Sequence, residues 1–122
     1  MSNELTINCS LVYNKNSISI QESAGGIVSV IGNGLNALSS FTATTTDVAI
    51  PVGSSTVAGG WIFIQNLDLT NYVQLETATS GTMIAKLLPG EFCLMRLDAS
   101  ITAPAVKAHT ASCLIKFCLF DL

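Results

Sequence analysis

Charge is what this chain has least of. Asp, Glu, Lys and Arg make up 11% of its 122 residues, against about 25% in an ordinary soluble domain. Lys and Arg together number five and the net charge is −3. Nucleic-acid binding needs a basic footprint to neutralise phosphates, and anionic membrane surfaces need a similar patch. Neither is available here, so no nucleic-acid partner and no membrane partner is expected. With so few charges the surface must be built from Ser, Thr, Asn, Gln and apolar atoms. A lone subunit with that surface dissolves poorly, so much of it is expected to be covered by partner subunits.

Long apolar runs and helical periodicity are missing too. No run reaches the roughly 18 apolar residues of a membrane span. No basic-then-apolar start marks a secretory leader, so none is expected. The uncharged segment 23–46 is interrupted by Gly25, Gly26, Gly32, Asn33 and Gly34. It reads as strand and loop rather than membrane helix. Nowhere do apolar residues sustain a 3.6-residue repeat, and no internal repeat or linker divides the chain.

Catalytic groups are equally sparse. His109 is the one histidine. A nucleophile–base pair needs such a residue oriented by a carboxylate, and nothing around Thr110, Ser112 and Cys113 suggests one; His109 reads as a turn residue. Acidic side chains are scattered over turns and strand ends, with no spacing that pairs two for glycosidase chemistry. The glycines are not followed by a helix, as a phosphate-cradling loop would require. Asn66, Asp68 and Asn71 carry oxygens of the kind calcium takes, but lack the carboxylate density of a calcium loop. They read as a turn satisfying its own backbone. No catalytic residue, cofactor or metal is expected, and the chain does not read as an enzyme. Cys9, Cys93, Cys113 and Cys118 show no Cys-x-x-Cys spacing. They read as buried, reduced thiols of a protein made in a cytoplasm; a Cys9–Cys93 or Cys9–Cys113 bridge is the alternative.

What is present is β-structure. Leu5, Ile7, Cys9 and Leu11 alternate with Thr6, Asn8 and Ser10, the period of a half-buried strand. Tyr13 to Asn16 reads as a turn and Ser17 to Gln21 as a second strand. Ser23 to Gly26 is expected to turn before a strand at Ile27 to Ile31, and Gly32-Asn33-Gly34 to turn tightly. Leu35 to Thr46 reads as loop running into strand. Pro51 pushes the strand from Asp47 to an edge, because it cannot donate to a ladder. Gly60 to Glu76 reads as a β-hairpin: aromatic strands around an Asn/Asp-rich loop. Further strands follow at Thr82–Leu87, Phe92–Leu97, Ala105–Ala108 and Ser112–Phe120. Leu88-Pro89-Gly90-Glu91 has the residues of a type II turn.

The whole reads as an all-β chain of about nine or ten short strands: an antiparallel β-sandwich of jelly-roll type, with a barrel as the alternative. Residues 1–122 form a single sandwich domain, within which 1–46 includes an arm or extended interface segment. The closing strand is apolar on both sides. Cys113, Ile115, Phe117 and Leu119 alternate with Leu114, Cys118 and Phe120, relieved only by Lys116. A strand of a two-layer sandwich should show one polar face, so this one is expected to be covered twice, by a loop or by another subunit. Leu114, Lys116, Cys118, Phe120 and Leu122, with the lone arginine Arg96, are the candidate interface residues.

Several motifs in the second half carry a resemblance. These are Ile50-Pro51-Val52-Gly53, the run Gly60 to Asp68 with Thr70-Asn71-Tyr72-Val73, Leu87 to Phe92, and Ala108-His109-Thr110-Ala111 before an apolar strand. From Asp47 to Leu122 the chain resembles small β-sandwich virion structural proteins of tailed bacteriophages. The resemblance implies a non-enzymatic cement or decoration protein on the capsid surface, made in the host bacterial cytoplasm. It would bind between major capsid proteins as a homo-oligomer, with a trimer favoured. A neck, tail or fibre-associated subunit bound to other virion proteins is the alternative. A carbohydrate-binding module using Trp61, Phe63 or Tyr72 is the second.

Overall fold

The computed structural model describes residues 5–28, 35–51 and 60–120. The described residues are all-β, with no helix. Ten strands form three antiparallel sheets. The chain divides into two compact units, residues 1–31 and 32–122.

The first unit is one long hairpin of β1 (Leu5–Lys15) and β2 (Ile18–Val28). The partners run from Leu5↔Val28 to Lys15↔Ile18 without a break. The reversal is confined to Asn16 and Ser17, both at positive φ (52° and 66°). Positive φ at both central residues is the type I′ turn, whose twist matches that of the flanking strands. The strands therefore extend beyond the turn expected at Tyr13–Asn16. The turn expected at Ser23–Gly26 does not occur, because β2 passes straight through it. A Cβ at Gly25 would sit 2.8 Å from both the Asn8 Oδ1 and the Ile7 carbonyl oxygen. The glycine marks close approach of a neighbouring backbone rather than a reversal.

The second unit is a sandwich. One sheet has the order β3-β10-β5-β8 and the other β4-β9-β6-β7. The first contains β3 (Leu35–Ala43), β10 (Cys113–Phe120), β5 (Trp61–Asn66) and β8 (Phe92–Arg96). The second contains β4 (Val48–Ala49), β9 (Ala105–Ala108), β6 (Val73–Glu76) and β7 (Met83–Leu87). Leu35–Ala43, expected to begin as loop, is strand throughout; its β-branched threonine and its place beside β10 favour extension. β4 is a two-residue edge strand ahead of Pro51, as that residue predicts. The tight turn expected at Gly32–Gly34 lies outside the described residues.

Inner faces of both sheets supply the core. Ile62 and Ile64 of β5 and Ile115, Phe117 and Leu119 of β10 pack with Val73, Leu75 and Val106 of the second sheet, all almost wholly buried. Phe41 meets Phe117 edge to face, with centroids 5.3 Å apart, the arrangement that ring quadrupoles prefer.

Gly60–Glu76 is not a hairpin. β5 pairs with β10 and β8, whereas β6 pairs with β7 and β9. The intervening loop carries the chain from one sheet to the other. Asn66, fully buried, holds that crossing in place. Its Nδ2 donates to the carbonyls of Asn71 (2.9 Å) and Leu87 (3.1 Å), and its Oδ1 accepts from the Asp68 N–H (2.9 Å). Asp68 Oδ2 then accepts the N–H groups of Thr70 and Asn71. The true hairpin partner of β6 is β7, joined through the turn at 77–82.

A candidate interaction surface

On an antiparallel sheet, directly opposed residues share a face and successive residues alternate. The registers of the β3-β10-β5-β8 sheet therefore define its outer face row by row. One row is Ser40–Lys116–Gln65–Phe92. The next is Leu38–Cys118–Phe63–Leu94, and the row beyond it holds Phe120, Trp61 and Arg96. Leu114 lies opposite Thr42 at the other end. The face is apolar in its middle and carries only cationic charge, from Lys116 and Arg96. Phe92 is 60% exposed, Leu38 58% and Leu114 47%. Phe63 and Phe92 pack ring to ring at 6.0 Å. Monomeric proteins rarely expose a contiguous apolar patch of several hundred Å² unless it binds something.

The structure brings the sequence-predicted candidates together here. Leu114 and Lys116 are exposed, Cys118 and Phe120 half-buried, and Arg96 lies exposed on the edge strand β8. Leu122 lies outside the described residues. Within the chain β10 is covered on one side: its odd residues from Cys113 to Leu119 are core, while Leu114 and Lys116 face outward and exposed. Sequence reasoning missed Leu38, Phe63, Leu94 and Phe92 as parts of one surface. Period-two alternation marks each strand's outer residues, but only the pairing order assembles them.

Trp61, Phe63 and Tyr72 do not form one platform. Trp61 and Phe63 lie on this outer face. The Trp61 Nε1 is buried, with no partner among the described residues. Tyr72 sits beside the other sheet, stacked on His109 (4.5 Å, 11°) with the Lys86 Nζ 4.2 Å from its ring centroid. His109 is thus an exposed bend residue held by Tyr72, to whose carbonyl its N–H also donates.

The thiols are all free. Burial pushes Cys93 up to about 11 and raises Cys113 and Cys118 as well, which leaves them poor nucleophiles at neutral pH. Cys9, expected to be buried, is exposed on the hairpin.

One carboxyl pair escaped sequence reasoning. Glu76 is 1% exposed and hydrogen-bonds with Asp47, whose carboxylate also accepts the Ser80 N–H at 2.7 Å. Lost hydration, that hydrogen bond and the Asp47 charge all raise the Glu76 pKa, against a smaller pull from Lys107. Among the described residues, no group of three or more His, Cys, Asp or Glu is placed to hold a metal.

The chain matches no model of a known protein family, no curated protein and no solved structure.

Proposed function

We propose that this protein is a non-enzymatic structural subunit that works by docking the outer face of its β3-β10-β5-β8 sheet onto a protein partner in a bacteriophage virion. The best fit is a capsid cement or decoration protein bound between major capsid proteins. The observation that carries this reading is the broad apolar sheet face left uncovered on a chain with very few charges. A second support is topological. The orders β3-β10-β5-β8 and β4-β9-β6-β7, with the chain passing repeatedly between the sheets, match two interleaved Greek keys. This supports a jelly-roll reading, an architecture that capsid proteins use. Binding only to the assembled shell would stabilise it by mass action.

The test is quantitative binding of the purified protein to decoration-free particles. Saturation at hundreds of copies per particle is expected of a cement protein, with loss of binding on Leu114→Asp. Saturation at tens of copies or fewer would place the subunit in the neck or tail instead. No binding to any particle would sink the virion reading.

A further inference from the structure

The hairpin of residues 5–28 presents two unlike faces. Opposed pairs share a face, so one side carries Leu5–Val28, Ile7–Gly26, Cys9–Ala24, Leu11–Glu22, Tyr13–Ile20 and, at the turn, Lys15–Ile18. The other carries mostly Thr6, Asn8, Ser10, Asn14, Ser19, Gln21 and Ser23, with Val12 and Ile27 as exceptions. Leu11 is 60% exposed, and Tyr13, Ile18 and Ile20 are exposed as well. A two-stranded ribbon is marginally stable by itself in water. Eleven-residue strands with one apolar face therefore call for a sheet to lie on.

We propose that the apolar face of this hairpin docks on the outer face of the β3-β10-β5-β8 sheet of a second copy of the chain. Charge selects that occupant. The hairpin's apolar face carries an anion, Glu22, in its middle, between the Cys9–Ala24 and Tyr13–Ile20 rows, and a cation, Lys15, only at its turn end. The outer sheet face carries Lys116 amid apolar rows and no carboxylate. Packing two such outer sheet faces together would instead oppose cation to cation. Size fits as well. A ribbon two strands wide, laid along the eight residues of β10, covers about 260 Å² on each surface. When each copy gives one hairpin and receives one, the buried area is about 500 Å² per copy and about 1,000 Å² in total for a reciprocal pair, the lower bound of a specific interface. The assignment rests on the proposed docking role of that sheet face and names its occupant.

Analytical ultracentrifugation of the full-length protein, alone in solution, tests it. The wild type is expected to self-associate reversibly. Leu11→Asp should give monomers whose sandwich keeps its near-ultraviolet dichroism. Glu22→Lys and Lys116→Glu should each weaken association about tenfold by opposing like charges, and the double variant should recover most of that loss. Three results overturn the proposal: a wild type monomeric at every concentration, association unchanged by Leu11→Asp, or a double variant no better than either single one. A chain that is monomeric alone yet binds particles overturns this inference and leaves the virion role standing. Self-association without particle binding does the reverse.

Discussion

Two buried polar side chains, Asn66 and Glu76, sit in a core that is otherwise apolar. They behave differently. Asn66 is satisfied three times, so Asn66→Ala takes the amide donor from the Asn71 and Leu87 carbonyls and the acceptor from the Asp68 N–H, and the Asn71 carbonyl keeps the weak Cys113 Sγ contact at 3.7 Å. Each buried polar group left unpaired costs about 1–3 kcal/mol. The variant should lose about 2–4 kcal/mol by denaturant unfolding, with the crossing between sheets loosened first. Glu76 is strained electrostatically instead: its Oε1 has no hydrogen-bond partner among the described residues. Its folded pKa is raised above the usual 4.5. Below about pH 4.5 the group is neutral in both folded and unfolded chains, and its contribution to stability is complete. As pH rises through the raised value, the unfolded chain releases the proton more readily, so stability falls. Glu76→Gln should therefore raise the melting temperature at pH 7–8 and change it little at pH 4. A wild type and variant that differ equally at both pH values would refute the assignment.

Among the elements, turns and glycines decided more than strands did. The Leu88–Glu91 turn follows its residues closely: Gly90 takes φ +82° and the Glu91 N–H closes on the Leu88 carbonyl at 2.9 Å, the type II pattern. The β1–β2 turn is less well served, because Ser17 holds a left-handed conformation at φ 66°. Relieving it with Ser17→Gly should stabilise the hairpin by about 1 kcal/mol. Slower amide exchange across Lys15–Ile18 would register that gain, whereas unchanged exchange would contradict it. Strand existence was legible for most elements, and alternation is clearest in β5 and β10. Extent was not. Gly25-Gly26 signals a turn locally, yet stays extended in register with Ile7 and Asn8, and at Gly25 the Ile7 carbonyl comes too close for any side chain. Gly60–Glu76 carries every local mark of a hairpin. Nothing local distinguishes a loop that folds a strand back beside its neighbour from one that carries it to the facing sheet.

For the molecule as a whole, scarcity of charge and the bare sheet face express one fact. A chain with 11% charged residues cannot clothe both faces of two sheets in ions. The uncovered apolar area falls where β3, β10, β5 and β8 meet. Leu114→Asp places a carboxylate in that face, opposite Thr42 and one row from Lys116, without touching the core. Its effect belongs to assembly: burying an unpaired charge at an interface is costly enough to weaken binding by two or more orders of magnitude. The unfolding midpoint of the free subunit should barely move, as is usual for exposed substitutions.

Composition and period-two patterning were enough to give an all-β chain, the place of most strands in its second half, the self-satisfied Asn/Asp turn and the outward set Leu114, Lys116, Cys118 and Phe120. These are properties of neighbours in sequence, where alternation and turn chemistry act over a few residues. Which strands lie side by side is set by long-range pairing and by burial of both inner faces at once. Only the folded arrangement could place β5 and β6 in different sheets, bring Asp47 against Glu76, and join Leu38, Phe63, Leu94 and Phe92 to the outer residues of β10 as one surface.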